Sequence, residues 1–169
     1  TAAGAAAYTD DFETLANTHY IKVSASDGTN ITKVSVTLNE TNVNDNAPYF
    51  VDPNNTSNTV GSYSFSYFEN TLAGTTLGVV KALDPQDPVT YSIAAGDNLY
   101  DGSGNALYQI DANGNISLTA EGVAAYTDDF ETLANSHKIG VTATDAALHA
   151  TKITVTLGET NVNDAPVAR

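Results

Sequence analysis

An internal repeat constrains this chain more than any other feature of its sequence. The residues YTDDFETLAN occupy positions 8–17 and return at positions 126–135, and ETNVND occurs at positions 40–45 and again at 159–164. Together these copies give a repeat period of about 118 residues. A period of that length is typical of one small domain, so the sequence predicts tandem copies of a single fold.

The repeat also sets the expected domain boundaries. Residues 1–47 match the second half of the repeat, so we expect them to form the C-terminal half of one unit. Residues 48–166 are expected to form a complete repeat, and residues 167–169 would begin the next linker. A half repeat needs a partner face, so we expect strand exchange or dimerisation through residues 1–48, besides contacts with neighbouring repeats of the same protein.

The apolar residues alternate with polar ones, as in half-buried β-strands. This alternation covers residues 21–25, 34–38, 139–143 and 153–157. Further short strands are predicted at TLGVVKA (76–82), VTYSI (89–93), LYQID (107–111) and NISLT (115–119), with one helical turn near DDFETLAN. No segment keeps a helical period for long, so the predicted fold class is all-β, a Greek-key β-sandwich of about seven strands with immunoglobulin-like architecture.

The charge of the chain limits its partners. Twenty acidic residues against six basic ones give a formal net charge of −14. This excess argues against nucleic acid and anionic membranes and favours cations, with calcium as the first candidate. There is no cysteine, so disulfides and thiolate metal sites are excluded. No apolar run approaches the roughly 20 residues that span a bilayer, so we expect no membrane insertion.

The acidic residues lie at the ends of the predicted strands rather than along them. Five motifs follow one another in the complete repeat, and they read FEN (68–70), ALDPQD (82–87), DFE (129–131), ATD (143–145) and NVNDAP (161–166). The half repeat carries DFE (11–13), ASD (25–27) and NVNDNAP (42–48). This ordered set resembles the cadherin repeat. The near-identical tandem copies, rich in alanine, asparagine and threonine, resemble the bacterial cadherin-like repeats of large surface adhesins.

The resemblance implies a set of calcium ligands at each end of the complete repeat, built from the oxygen atoms that calcium prefers. The set at the first junction would comprise Asp11, Glu13, Val43, Asn44, Asp45, Asn46, Asp84, Gln86, Asp87 and Asp145. The set at the second end would comprise Glu69, Asp129, Glu131, Asn163 and Asp164.

Two departures from the family pattern affect these sets. Gln86 stands where the family has the second aspartate of an Asp-x-Asp pair, with Asp87 one position later, so one calcium at the first junction would be lost or coordinated differently. The closing motif NVNDAP lacks the second asparagine, so we expect the C-terminal end to be only partly occupied.

The function implied by the resemblance is a calcium-rigidified extension or adhesion module of a large bacterial protein, extracellular and either secreted or on the cell surface. The alternative is a recognition module that binds a carbohydrate, a cell-surface ligand or a like domain. Exposure of the aromatic residues in SYSFSYF (62–68) would favour this alternative. The chain lacks GxSxG, HExxH and P-loop motifs, so we expect no enzyme.

Two histidines occupy equivalent places in the two copies. His19 and His137 each follow DFETLAN closely. Neither has a cysteine or a second histidine nearby, so packing or hydrogen bonding is the expected role rather than metal binding.

Overall fold

The structure is a computed structural model, and it describes residues 12–13, 15–126, 130–131 and 134–163. The chain divides into two compact units, Thr1–Asn44 and Asp45–Arg169. In the described residues, the first unit contains one two-stranded sheet and the second contains three sheets. The repeat boundaries expected at residues 47 and 166 remain a prediction.

The first unit is a β-hairpin of strands β1 (Thr18–Ser26) and β2 (Ile31–Asn39), paired antiparallel. The connecting turn is closed by Asp27, whose Oδ1 accepts hydrogen bonds from the backbone N–H groups of Thr29 at 2.9 Å and Asn30 at 2.7 Å. Gly28 takes a positive φ of 94°, which glycine adopts without steric cost. The bond from the backbone of Asn30, followed by that from Thr29, lowers the pKa of Asp27 to about 2.

The largest sheet of the second unit has four strands, in the order β5, β12, β11 and β8. Their bounds are β5 (Ser62–Phe68), β8 (Thr90–Ser92), β11 (Ser136–Thr144) and β12 (Ala150–Thr160). β12 pairs with β5 in parallel, whereas β11 pairs antiparallel with both β12 and β8. Every second residue is buried from His137 to Ala143 in β11 and from Ile153 to Glu159 in β12, in line with the alternating sequence pattern.

Two three-stranded sheets complete the second unit, in the orders β6–β10–β9 and β4–β3–β7. Their strands are β3 (Tyr49–Asp52), β4 (Asn55–Thr59), β6 (Thr76–Val79), β7 (Lys81–Leu83), β9 (Tyr108–Ile110) and β10 (Asn115–Leu118). The core lies between the layers and includes Leu107, Tyr108, Ile116, Val155 and Leu157. The predicted all-β sandwich is confirmed.

The number and placement of the short elements differ from the sequence prediction. The second unit has ten strands in its described part rather than about seven. One reason is that the predicted strand 76–82 is divided at Val80 between two sheets, because β6 pairs with β10 and β7 pairs with β3. A second reason is the hairpin of β3 and β4, whose turn is closed by Asp52 accepting the N–H of Asn54.

The helical turn predicted near DDFETLAN lies largely outside the described residues, and a helix that the sequence did not predict comes just before the second copy of that motif. Helix α1 (Ala120–Tyr126) precedes that motif, in which the described residues 130–131 form a turn. Thr119 caps the helix, because its Oγ1 accepts the N–H of Gly122 at 2.9 Å.

Candidate functional site

The strand register carries the acidic motifs to opposite ends of the four-stranded sheet. At one end, Phe68 of β5 lies beside Thr160 of β12, and β11 begins at Ser136. We call this the Glu69 end, and it comprises Glu69, residues 130–131 and residues 161–163. Strand β11 then runs nine residues, or roughly 30 Å, to the other end.

The opposite end collects the remaining motifs of the second unit. Thr144 closes β11 and pairs with Thr90 of β8, which residues 84–89 connect to β7. The end of β7 lies beside the start of β3, because Leu83 pairs with Tyr49. Residues 45–48 therefore enter the sandwich here. We call this the Asp145 end, and it comprises residues 45–48, 84–89 and 145–149.

Glu69 joins three motifs at the Glu69 end. Its side chain is almost fully enclosed, with the residue only 2% exposed. One carboxylate oxygen accepts the backbone N–H of Phe130 at 3.1 Å, and the other accepts the N–H of Val162. The N–H of Glu69 itself donates to the carbonyl of Thr160 at 3.0 Å. In the part of the chain that the structure describes, no ion pair includes Glu69, so this buried charge has no basic counterion there.

The rest of the Glu69 end is more open. Glu131 is exposed, and its carboxylate accepts a hydrogen bond from the side-chain amide of Asn161. Asn163 is exposed as well. The predicted ligands Asp129 and Asp164 lie outside the described residues. Asn161 was not among the predicted ligands, although its place in NVNDAP was a usable signal.

Asp84 contributes a shielded carboxylate oxygen to the Asp145 end. Its Oδ1 closes a turn by accepting the backbone N–H groups of Gln86 at 2.8 Å and Asp87 at 2.9 Å. Its Oδ2 is buried and has no hydrogen-bond partner among the described residues. Leaving such an acceptor without a donor costs about 1–3 kcal/mol, so the site suits a cation or a water molecule.

Asp145 is the most buried carboxylate at the same end, with the residue 4% exposed. Its Oδ1 accepts the backbone N–H of His149 at 2.7 Å, and its Oδ2 lies 2.9 Å from the ring Nδ1 of His149. The sequence analysis did not predict that His149 contacts Asp145, although the spacing of four residues between them is short enough for such a contact. The His149 ring therefore contacts a carboxylate oxygen of Asp145, a residue that the cadherin resemblance assigns to calcium binding.

The predicted linker ligands belong to two different units. In the second unit, Asp45 is exposed, and its Oδ1 accepts the side-chain amide of Asn46 at 3.1 Å. In the first unit, Glu13 and Val43 are exposed and Asn44 is half-buried. Asp11 lies outside the described residues, and the complete first-junction set remains a prediction.

Within the described ranges, no three histidine, aspartate or glutamate side chains converge as a metal site. The side chains that are described fit calcium chemically, because they are carboxylates and amides at the two ends of the sandwich. Among them are the buried carboxyl group of Glu69 and an Asp84 oxygen that has no hydrogen-bond partner in the described residues.

The aromatic segment SYSFSYF contributes mainly to the core. Tyr63 and Tyr67 are buried and Phe65 is half-buried, which leaves Phe68 as the exposed ring. The Tyr63 hydroxyl accepts the N–H of Lys81 at 3.2 Å, and burial raises the pKa of this phenol. The exposed aromatic cluster that would favour a recognition module is therefore not formed by this segment.

The two equivalent histidines pack or hydrogen-bond, as the sequence predicts. The Nε2 of His19 lies 3.1 Å from the Oε1 of Glu40. His137 is buried beside Tyr108, with the ring centroids 6.3 Å apart. Burial lowers the pKa of His137 below its ordinary value of 6.5.

Comparison with solved structures decides the fold. Domains 1–4 of the protocadherin gamma B7 extracellular region match 88% of this chain with a TM-score of 0.62 at 21% identity, and 33% of their own length is covered. The chain has a cadherin-like fold. Human protocadherin-24 EC1-2 matches 92% with a TM-score of 0.61 at 23% identity, with 70% of its length covered. Drosophila N-cadherin EC1-4 matches 86% with a TM-score of 0.59 at 21% identity.

The cadherin-like chain spans about a third of the length of the gamma B7 and N-cadherin structures. No protein-family model and no curated protein matches its sequence. Among the described residues, no helix has the length and apolar character needed to cross a membrane.

Proposed function

We propose that this cadherin-like chain binds calcium at both ends of its complete sandwich. In this role it is an extension or adhesion module of a large extracellular bacterial protein, secreted or on the cell surface, and it contacts neighbouring repeats of that protein. Glu69 is the observation that carries the proposal. The residue is 2% exposed, and its carboxylate is held by backbone N–H groups from two other motifs, with no basic side chain paired to it in the described residues.

Burial of an ionised carboxylate is costly unless a cation or several hydrogen bonds compensate it. The two N–H groups orient the Glu69 oxygens, but they carry no formal positive charge. Calcium supplies that charge and takes six to eight oxygen ligands. Glu131 and Asn163 would join Glu69 there, together with Asp129 and Asp164.

The Asp145 end offers a second set. Asp84 brings a shielded oxygen with no hydrogen-bond partner among the described residues, and Asp145 brings a buried carboxylate. From the same unit, the set is completed by Asp45, Asn46, Gln86 and Asp87. From the first unit, Asp11, Glu13, Val43 and Asn44 would close it. Gln86 is neutral where the family pattern has a carboxylate, so we expect weaker binding than a full acidic set would give.

The position of the two sets supports a role in linking units. Residues 45–48 enter at the Asp145 end, and residues 161–163 leave at the Glu69 end, so each set lies where the chain enters or leaves the sandwich. Carboxylates about 4 Å apart repel by roughly 1–4 kcal/mol per pair at effective dielectric constants of 80 to 20. A bound cation replaces this repulsion with attraction and would stiffen the connection. Pro48, which is buried, restricts the backbone at the entry.

A carbohydrate-binding or homophilic recognition role has less support. Two of its four candidate aromatic residues, Tyr63 and Tyr67, are buried in the core. A glycan array in millimolar calcium distinguishes this alternative, which predicts specific binding, from the extension module, which predicts none. The proposal includes no enzymatic activity.

Titration calorimetry with calcium tests the proposal directly. We expect dissociation constants of the order of 10⁻⁴ to 10⁻³ M, as for extracellular modules, and a weaker response to magnesium. Glu69→Gln and Asp84→Asn should each remove binding from one end. Glu121→Gln is the matched control, because Glu121 is exposed on helix α1 and belongs to neither set. Unchanged calcium binding in both site variants, or no heat with the parent chain, would refute it.

A further inference from the structure

Five positions of this chain carry the sequence Asn-x-Ser/Thr, which is the acceptor sequon for N-linked glycosylation. They are Asn30, Asn39, Asn54, Asn55 and Asn115. A folded protein can accept a sugar at a sequon only where the asparagine amide is reachable and is not already held by the fold. The structure separates the five positions on this basis.

The sequon of Asn115 is closed by the sheet around it. Asn115 is half-buried on β10, the middle strand of the sheet β6–β10–β9. Its Nδ2, the atom that would receive the sugar, donates a hydrogen bond to Oδ2 of Asp111 at 2.7 Å. The hydroxyl residue of the same sequon, Ser117, is only 8% exposed. This sequon therefore serves as an internal control for the others.

The two sequons of the first unit have asparagine side chains that are bonded within their own hairpin. The Nδ2 of Asn30 donates to Oδ2 of Asp27 at 3.2 Å. The Oδ1 of Asn39 accepts the hydroxyl of Thr18 at 3.1 Å. A glycosyltransferase must break these bonds to other parts of the hairpin before it can turn either amide into its active site.

The remaining two sequons lie at an open sheet edge. In the described residues, β4 pairs only with β3, and residues 53–59 are all exposed. The ladder to β3 pairs Asn55 and Thr59 but not residues 56–58 between them. An enzyme can therefore reach this segment without unpairing the sheet.

Asn55 differs from Asn54 in the hydrogen bond that its side chain makes. The Oδ1 of Asn55 accepts the backbone N–H of Ser57 at 3.3 Å, so the amide and the hydroxyl residue of its sequon lie in one turn. A donor on the amide oxygen draws electron density from Nδ2 and makes the Nδ2 proton more acidic. In the described part of the chain, the side chain of Asn54 makes no such bond.

We propose that Asn55 is an acceptor for N-linked glycosylation from a sugar nucleoside diphosphate. In the transfer, Nδ2 of Asn55 forms a bond to the anomeric carbon of the sugar, and the bond from that carbon to the diphosphate oxygen breaks. The Nδ2 atom gives up one proton to a base of the glycosyltransferase, and the nucleoside diphosphate leaves. The step needs no oxidant and no reductant.

A sugar at Asn55 would protect an exposed sheet edge. The N–H and C=O groups of an edge strand can pair with another chain, and charged side chains or a covering element commonly prevent such pairing. The residues of β4 carry no charge. A bulky, well-solvated sugar on the first residue of β4 supplies this protection instead.

Glycosylation of the folded chain tests the inference. The chain is incubated with a soluble asparagine N-glucosyltransferase and UDP-glucose, and peptide mass spectrometry gives the rate of glucose transfer at each sequon. Synthetic peptides that contain the same sequons give the corresponding rates without the fold. We expect the ratio of the folded-chain rate to the peptide rate to be at least about 10-fold higher at Asn55 than at Asn30, Asn39 or Asn115.

Three variants separate Asn55 from its neighbour. Asn55→Gln should abolish transfer to residues 53–59, whereas the matched control Asn54→Gln should keep it. Ser57→Ala removes the hydroxyl of the Asn55 sequon and leaves the Asn54 sequon intact, so it should abolish transfer as well. All three residues are exposed, and urea unfolding should therefore show nearly the same stability in each variant.

The possible results decide the inference independently of calcium, because no residue of either calcium set is changed. Transfer to Asn54 in place of Asn55, or equal ratios at Asn55 and Asn115, would overturn it. A folded chain that receives no glucose would overturn it too, whether or not the peptides are modified.

Discussion

The backbone N–H of Phe130 donates a hydrogen bond to Oε2 of Glu69 at 3.1 Å, across a sequence separation of 61 residues. Together with the bond from the N–H of Val162, this bond holds the glutamate of FEN against the DFE segment. The carboxylate is thus already oriented at the end of the sandwich. Such preorganisation lowers the entropy that a bound ion would otherwise have to offset.

Calcium should stabilise the sandwich through Glu69. With a dissociation constant near 10⁻³ M, 10 mM calcium adds roughly 1–2 kcal/mol to the free energy of unfolding by mass action. Glu69→Gln keeps the size of the side chain but removes its charge. The increase in the free energy of unfolding that calcium produces at the Glu69 end should therefore disappear. Denaturant unfolding in calcium and in a chelator measures this calcium-dependent difference in the free energy of unfolding. The exposed Glu121→Gln should respond like the parent chain, and an equal calcium effect in both variants would contradict the assignment.

The sequence alone predicted the long strands because their periodicity is local. The residues of β11 and β12 alternate cleanly, and their burial follows that alternation. Helix α1 was missed even though Thr119 is a favourable N-cap residue, because glycine at position 122 weakens the helical pattern.

The contacts of the candidate site were harder to predict than its residues. The motif order placed Glu69 among the ligands, but its bond to Val162 joins residues 93 positions apart and depends on the parallel pairing of β5 and β12. The ring of His149 against Asp145 depends on the conformation of a short loop in which Leu148 takes a positive φ of 71°. No periodic pattern encodes either feature.

Asp45→Ala should weaken calcium binding more than Asp164→Ala. Asp45 belongs to the same unit as Asp84 and Asp145, which can share an ion with it, whereas in the 169-residue chain under test five residues follow Asp164. Equilibrium dialysis with radioactive calcium counts the ions bound to each variant. Equal losses in the two variants would argue against a shared site at the first junction.

Gly122→Ala should destabilise the second unit although alanine favours helices. A Cβ at position 122 would lie 2.1 Å from the carbonyl oxygen of Leu107, a backbone atom that cannot rotate away. Overpacking of this kind costs about 1–3 kcal/mol, which exceeds the roughly 1 kcal/mol gained in helix propensity. Urea unfolding measures the difference. Gly96→Ala is the control, because nothing lies within 4 Å of its added Cβ, and its stability should change little.

His137 should make the stability of the second unit depend on pH. Burial lowers its pKa in the folded state below the ordinary value of 6.5, so the unfolded chain binds this proton more readily. Well above pH 6.5, His137 is neutral in both the folded and the unfolded chain, so its titration does not change the free energy of unfolding. As the pH falls through 6.5 towards the lower folded-state pKa, stability is lost. His137→Leu removes the titrating ring and places an apolar side chain beside Tyr108. Urea unfolding from pH 8 to pH 5 should therefore show a smaller loss in the variant than in the parent chain. Parallel curves for the two proteins over that range would show that His137 does not contribute.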